Sequence, residues 1–153
     1  MAEAASAPLL EVKGLKKHFP ITRGVLFQKA VGQVRAVDGV DFAIRKGETL
    51  GLVGESGCGK STTARVVLQL YPPTAGSIRF AGQELTALSG EALRRTRRYL
   101  QLVYHDPYAS LDPRMTVADI LDEPFAIHGM LPDKAERRRR VAELMSVVGL
   151  PRN

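Results

Sequence analysis

The sequence has almost no cysteine: Cys58 is the only one in 153 residues. A single cysteine excludes an internal disulfide, which fits a reducing compartment such as the cytosol. No run approaches the ~18 consecutive apolar residues that a membrane-spanning helix needs. The first ten residues, MAEAASAPLL, lack a basic segment followed by an apolar one, so we expect no secretory signal. Internal repeats and low-complexity tracts are also missing.

The charge is unbalanced, with 22 Lys and Arg against 16 Asp and Glu, a formal net charge of +6. Such an excess suits nucleic acid, phosphates or an anionic membrane surface, and it equally suits a solvated basic surface. Arginines cluster at residues 94–98 and 137–140. No RNA-binding or zinc-finger signature accompanies them, so we expect no nucleic-acid partner. The 44% hydrophobic and 25% charged residues are ordinary for one globular domain.

Strand-like and helix-like patterns alternate along the chain. Alternating or short apolar runs predict strands at residues 9–19, 40–44, 49–53, 77–85 and 99–105. Apolar residues at helical spacing predict helices at residues 60–71, 89–98, 116–125 and 133–150. Glycines within residues 22–33 predict a surface loop. This alternation predicts a layered α/β fold with a partly parallel sheet.

Several residues mark where these elements begin and end. Lys46-Gly47 predicts a tight turn between two strands. Ser89 and Thr116 have the positions of helix N-caps, and Asp119 follows Thr116 at the spacing of a capping box. Pro72-Pro73 should stop the first helix, which is apolar nearly all round and is therefore expected to be buried.

The strongest motif lies between a predicted buried strand and a predicted helix. Residues 51–62, GLVGESGCGKST, contain G-x-x-x-x-G-K-[ST], and the glycines let the backbone approach a ligand closely. The freed N–H groups and the following helix N-terminus would form an anion-binding nest. Lys60 can reach the β- and γ-phosphates of a nucleotide, and the Ser61 hydroxyl can hold Mg²⁺. The predicted nucleotide-binding residues are Gly54, Glu55, Ser56, Gly57, Cys58, Gly59, Lys60, Ser61 and Thr62.

The sequence around this motif resembles the ATP-binding subunit of an ABC transporter. Residues 36–85 contain a strand pair, the phosphate loop, a helix and then the P-T-x-G-x-I segment that is typical of this family, here Pro73–Ile78. Residues 100–130, which contain DPYASLDPRMTV, are similar to the corresponding stretch of dipeptide and oligopeptide importers. The resemblance extends from about Leu10 to the end of the chain.

The resemblance implies a P-loop NTPase (RecA-like) core with an antiparallel β subdomain and the start of a helical subdomain. It divides the chain into a tail at residues 1–8, the nucleotide-binding core with its β subdomain at 9–115, and a truncated helical subdomain at 116–153. It implies ATP and Mg²⁺ as cofactors. The implied partners are permease subunits and a second ATP-binding subunit, at the inner face of the cell membrane.

Some roles follow only from the resemblance. In the family an aromatic residue stacks on adenine, and Phe19 is the matching residue, although ordinary core packing stays open for it. The predicted catalytic residues are Lys60, from the phosphate-loop motif, and His105, from the resemblance. The predicted Mg²⁺ ligands are Ser61, from the same motif, and His105, again from the resemblance. His105 replaces a glutamine of the family, and imidazole is a poorer Mg²⁺ ligand than a carbonyl oxygen. His105 therefore weakens catalysis, contacts water in another tautomer or is a surface residue. If it takes part, activity should titrate at about pH 6.5, the unperturbed value for histidine.

Two segments resemble sequence motifs that act in ATP hydrolysis in this family. Residues 88–91, LSGE, resemble the start of the signature L-S-G-G-Q, and Asp122–Pro124 resemble the Mg²⁺-binding Asp, the catalytic Glu and a Pro. Their order is wrong, because LSGE precedes His105 and the acids follow it almost at once. Asp119 also interrupts the apolar run that a buried strand requires, since an unpaired carboxylate there is costly. We therefore expect the acids of Asp122–Pro124 at a helix end.

It follows that the signature, the acidic pair and the switch histidine of the family are missing from this chain. We therefore expect MgATP binding with little hydrolysis by the chain alone. An ATP-driven importer motor, another P-loop enzyme such as a small kinase, and a non-catalytic nucleotide-binding protein stay open as functions. A kinase would need a downstream substrate motif, which is not visible, and ATP-dependent dimerisation would distinguish the motor from the non-catalytic protein.

Overall fold

The computed structural model describes residues 7–23, 29–104 and 111–151 of the chain. The chain divides into two compact units, Met1–Leu102 and Val103–Asn153. In the described ranges no helix has both the length and the hydropathy of a membrane span.

The first unit is built on a four-stranded antiparallel sheet with the order β2-β1-β3-β4. The strands are β1 (Leu10–Arg23), β2 (Lys29–Ile44), β3 (Ala75–Phe80) and β4 (Gln83–Glu84). β1 and β2 form a long ribbon that runs from the pair Leu10 and Ile44 to the pair Arg23 and Lys29, with several register shifts. β3 pairs with the first half of β1, from Leu10 to Lys16.

The prediction of a surface loop at residues 22–33 is wrong at both ends of that range. Thr22 and Arg23 belong to β1, and residues 29–33 belong to β2. Ile21 pairs with Gly32, and Thr22 pairs with Ala30. The hydrogen bonds between β1 and β2 therefore outweigh the local preference of glycine for a turn. Residues 24–28 lie outside the described residues.

Two predicted strands are also wrong. Residues 49–53 and 99–104 are irregular, and every strand pair within the described residues is antiparallel, so the predicted parallel part of the sheet is not formed there. A strand needs a neighbour for its ladder bonds, and neither segment has one among the described residues. Most of their apolar side chains are exposed, with Val53 93% and Val103 90% exposed, whereas Leu100 is half-buried against the core.

The core of the first unit lies between the sheet and one helix, α1 (Lys60–Val67). Its buried residues come from the sheet, from α1 and from the segment after β4: Val12, Leu15, Val37, Val66, Val67, Ile78 and Leu85. α1 is confirmed as a helix but ends before the predicted Pro72-Pro73 stop, because Gln69 takes a left-handed conformation with φ 56°. Leu70 and Tyr71 therefore lie beyond the helix and are exposed, against the expectation of a buried face.

A second helix of this unit, α2 (Gly90–Arg97), begins after Ser89 as predicted, although the Ser89 side chain makes no capping bond. Arg97 near its end donates from Nε to the carbonyl oxygen of Leu68 at 3.4 Å, and from Nη2 to that of Gln69. These bonds satisfy the carbonyl groups of the two residues that follow α1, which have no partner within that helix.

The second unit is a helical hairpin of α3 (Val117–His128) and α4 (Lys134–Val147). The predicted capping box of α3 is confirmed: Thr116 accepts from the Asp119 amide, and the Asp119 carboxylate accepts from the Thr116 amide. The helix that apolar spacing predicts at residues 133–150 is confirmed as α4, whose Val141 and Met145 are buried. Val148 follows the last helical residue and is exposed, because the chain leaves the helix there.

Candidate phosphate-binding site

Residues 54–59 wrap around the side chain of Lys60, the first residue of α1. The Lys60 Nζ donates to the carbonyl oxygens of Gly54 and Glu55, both at 2.7 Å. The Cys58 Sγ lies 3.6 Å from the same nitrogen. The sequence places these groups close in the chain, and the structure brings the ammonium group inside the loop that the sequence predicts to bind phosphate.

Glycine is required in this loop for two separate reasons. Gly57 and Gly59 have φ values of 83° and 101°, in the left-handed region that side-chain-bearing residues rarely adopt. A Cβ at Gly59 would lie 2.2 Å from the Ala36 carbonyl oxygen, and a Cβ at Gly54 would lie 2.5 Å from the Cys58 Sγ. The end of the loop therefore packs directly on β2, and this contact fixes its position on the sheet.

The start of α1 is electrostatically suited to an anion. Its first turn contains no acidic residue, and the partial positive charge of the helix N-terminus adds to the charge of Lys60. The buried Thr63 closes the turn, since its amide donates to the Gly59 carbonyl oxygen at 2.8 Å and its hydroxyl donates to the same atom at 3.0 Å. Ser61 is exposed and Thr62 is half-buried on the same turn.

These features fit a phosphate group, since a small-residue cradle, a cation and a helix N-terminus converge. Nowhere in residues 7–23, 29–104 and 111–151 do three His, Cys, Asp or Glu side chains converge to hold a metal ion. A Mg²⁺ ion at this site would need oxygen ligands from a bound phosphate and from water in addition to the Ser61 hydroxyl.

Phe19 lies in β1 and pairs with Val34 of β2. Val34 is two residues along β2 from Ala36, and the Ala36 carbonyl oxygen is the atom on which Gly59 packs at the end of the phosphate loop. The half-buried ring of Phe19 meets the Tyr71 ring edge-on, with centroids 5.6 Å apart. The structure thus places Phe19 near the phosphate loop, and its role in binding a base stays a prediction.

His105 lies outside the described residues, so its predicted part in catalysis and in the Mg²⁺ site stays a prediction. The predicted tail of the chain lies outside them as far as residue 6.

The acids of the Asp122–Pro124 segment lie inside α3, which confirms that they belong to a helix. Their predicted place at a helix end is wrong, because α3 continues to His128 although Pro124 cannot donate a helical hydrogen bond. Asp122 accepts from the Nε of Arg137 on α4 at 2.9 Å, and Glu123 is exposed. Asp122 therefore has a structural partner within the hairpin.

The LSGE segment likewise has a structural role. Ser89 precedes α2, and Glu91 in its first turn forms ion pairs with Arg94 and Arg95 at 2.8 and 3.2 Å. The hydrogen bonds from these arginines lower the pKa of the Glu91 carboxyl below its usual value.

Sequence reasoning missed a charged cluster on the β1–β2 ribbon. The Asp38 Oδ1 lies 3.0 Å from the Nε2 of His18, and Lys16 and Arg35 flank the carboxylate at 3.8 and 3.5 Å. The hydrogen bond from His18 holds the pKa of Asp38 below its ordinary value, and the flanking cations assist. This cluster depends on the register between β1 and β2. The sequence predicts a loop at residues 22–33 and therefore does not predict that register.

Comparison with known proteins gives a consistent result. Residues 37–153, which include the phosphate loop, match the ABC transporter family. The oligopeptide transport ATP-binding protein AppF of Bacillus subtilis is 52% identical over 98% of this chain and 45% of its own length. The di/tripeptide transport ATP-binding protein DppF of Pseudomonas aeruginosa is 44% identical over 93% of this chain and 43% of its own. The glutathione import ATP-binding protein GsiA of Pectobacterium atrosepticum is 49% identical, over 96% and 23% respectively.

A solved structure supports the fold. The dimeric ATP-binding cassette MJ0796, in a post-hydrolysis state bound to ADP and Pi, superposes with a TM-score of 0.71 at 23% identity, over 90% of this chain and 56% of that one. The chain spans less than half the length of the curated relatives named above. Its architecture is that of part of an α/β P-loop cassette, and the chain belongs to the ABC transporter family.

Proposed function

We propose that the protein binds MgATP through residues 54–62 and acts as the ATP-binding subunit of an ABC-type importer for peptides. The observation that carries the proposal is the position of the Lys60 ammonium group inside a glycine loop at a helix N-terminus. The relatives named for oligopeptide, di/tripeptide and glutathione transport support the peptide substrate class.

The phosphates, the Mg²⁺ ion and the base of a nucleotide each have a proposed partner in the chain. Lys60 and the loop amides would bind the phosphates with charge-assisted hydrogen bonds, and the Ser61 hydroxyl would be a ligand of Mg²⁺. Bound Mg²⁺ neutralises phosphate charge. The Phe19 ring would stack on the adenine, an interaction worth ~1–3 kcal/mol in comparable nucleic-acid sites. His105 would contact the Mg²⁺ or water near the phosphates, as its place in the sequence suggests.

We further propose that the chain alone hydrolyses little ATP. Activation of water needs a correctly placed base. The acids that most resemble the family's catalytic pair lie inside α3, and Asp122 is engaged by Arg137. The same observation favours a second candidate function, a non-catalytic nucleotide-binding protein.

The proposed partners are permease subunits and a second ATP-binding subunit, at the inner face of the cell membrane. Support comes from the import and transport functions in the names of the relatives, and from the dimeric state of the cassette MJ0796. If the protein forms a dimer when ATP is added, the motor function is supported. A monomer that binds ATP supports the non-catalytic function instead.

Calorimetric titration of the protein with MgATP tests the proposed site. Lys60→Ala should weaken binding about 10- to 100-fold, since it removes the charged donor to the phosphates. The matched control is Lys46→Ala, which removes an exposed lysine from the turn between β2 and the loop and should leave binding unchanged. Equal affinities of the two variants would contradict the proposal.

A further inference from the structure

The ring of Phe19 has two unusual contacts, and both involve the connection between α1 and β3. The Tyr71 ring meets it edge-on, at 5.6 Å and with an interplanar angle of 89°. The Lys17 Nζ lies over the same ring, 5.0 Å from its centroid, and donates to the Pro72 carbonyl oxygen at 2.8 Å. Edge-to-face and cation–π contacts both favour one ring position over others.

Tyr71 is itself fixed to the helix that follows the phosphate loop. Its amide donates to the Arg65 carbonyl oxygen at 3.4 Å, and the Leu70 amide donates to the same atom at 2.9 Å. The left-handed Gln69 turns the chain back over the last turn of α1 to make these bonds. A continuous series of contacts therefore joins Lys60, through α1 and Tyr71, to the ring of Phe19.

Neither ring of this contact belongs to the buried core of the unit. Tyr71 is 36% exposed, and Phe19 is half-buried. Two aromatic rings that are held in perpendicular contact outside the core, beside a phosphate-binding loop, are better explained by a binding role than by stability. Removing the Tyr71 ring should accordingly leave the fold intact.

We propose that Tyr71 is a positioning residue for the nucleotide base. It holds the Phe19 ring at a fixed place relative to the phosphate loop, so that a base and a triphosphate of the same nucleotide meet both groups without rearrangement of the chain. Preorganisation of this kind raises affinity by reducing the ordering that binding requires. The inference rests on the proposed function, because it presumes that Phe19 stacks on the base.

The test compares two ligands, MgATP and magnesium tripolyphosphate, which has the phosphates without the base. Calorimetry would give both affinities for the wild type and for Tyr71→Leu, Tyr71→Phe, Phe19→Leu and the double variant Phe19→Leu/Tyr71→Leu. The matched control is Tyr99→Leu, because Tyr99 is exposed and contacts Arg98 instead of Phe19. Thermal unfolding of each variant would show that the fold is kept.

We expect Tyr71→Leu to weaken MgATP binding roughly 3- to 10-fold, in the range of an edge-to-face pair, with tripolyphosphate affinity unchanged. Tyr71→Phe should bind like the wild type because it keeps the ring. The double variant should bind no more weakly than Phe19→Leu, because Tyr71 acts through Phe19.

Four results would overturn the inference, and they have different meanings. If Phe19→Leu loses MgATP affinity and Tyr71→Leu does not, or if Tyr71→Leu weakens both ligands equally, Tyr71 does not position the base. If Phe19→Leu leaves MgATP affinity unchanged, Phe19 is not the stacking ring, although phosphate binding stands. If the wild type binds neither ligand, the proposed function fails together with the inference.

Discussion

Asp122 and Arg137 form an ion pair of 2.9 Å between α3 and α4, with only 34% and 17% of their side chains exposed. Arg137 also donates to the Leu131 carbonyl oxygen at 3.0 Å and thereby ties the connecting turn to the hairpin. Asp122, which resembles a Mg²⁺ ligand in its local sequence, is thus a structural partner of Arg137. The remaining residues of the 137–140 cluster are exposed, as a solvated helix face should be.

Asp122→Asn should therefore destabilise the protein without affecting nucleotide affinity. The free energy of unfolding should fall by about 1–3 kcal/mol. This lies between the values for exposed and for buried ion pairs, because the pair is partly buried. Urea unfolding measures the loss, and the exposed neighbour provides the control, since Glu123→Gln should change stability little. Weaker MgATP binding by Asp122→Asn at unchanged stability would show that the acid belongs to the site.

Gly59→Ala should abolish nucleotide binding and destabilise the first unit. The new methyl group would clash with the Ala36 carbonyl oxygen, and the left-handed backbone would itself cost about 1–2 kcal/mol. Gly82→Ala is the matched control, because Gly82 has a φ of 81° with no atom within 4 Å of an added Cβ. We expect Gly82→Ala to lose only the stability that the left-handed backbone costs an alanine, and thermal unfolding would measure this loss. Similar losses at the two positions would mean that the contact with β2 does not fix the loop.

The Asp38 cluster should make stability depend on acid pH. The pKa of Asp38 is lowered in the folded protein from its ordinary value of 3.8, chiefly by the hydrogen bond from His18. The stabilisation is therefore fully present above pH 3.8 and is lost as the pH falls through the lower, folded-state pKa. Unfolding free energies between about pH 2 and 6 should show a smaller acid-side decrease in Asp38→Asn than in the wild type. Parallel curves for the two proteins would contradict this assignment.

Labelling of Cys58 by a maleimide should slow when MgATP is added. The thiol is exposed and its Sγ lies 3.6 Å from the Lys60 Nζ, so a phosphate at the ammonium group would restrict access to it. Mass spectrometry would follow the rate, with Cys58→Ser as the unlabelled control. A labelling rate that does not change with nucleotide would place the phosphates elsewhere.

Features that depend on a few neighbouring residues could be predicted from the sequence. The phosphate loop is one, because its glycines, Lys60 and the following helix are contiguous, and the Thr116–Asp119 capping box is another. Features that depend on distant partners could not. The glycines of residues 22–33 suggested a loop where cross-strand bonds make a ribbon, and the apolar residues 49–53 have no strand beside them in the described part of the chain. The contact between Phe19 and Tyr71 joins residues far apart in sequence, so no local sequence pattern predicts it.

The most direct test of the central claim is a crystal structure of the protein with Mg²⁺ and a nonhydrolysable ATP analogue. The account predicts the triphosphate within the loop of residues 54–62, with the Lys60 Nζ on phosphate oxygens and the Ser61 hydroxyl on the metal ion. A loop without nucleotide at saturating analogue, with the Lys60 Nζ still bonded to the Gly54 and Glu55 carbonyl oxygens, would contradict it.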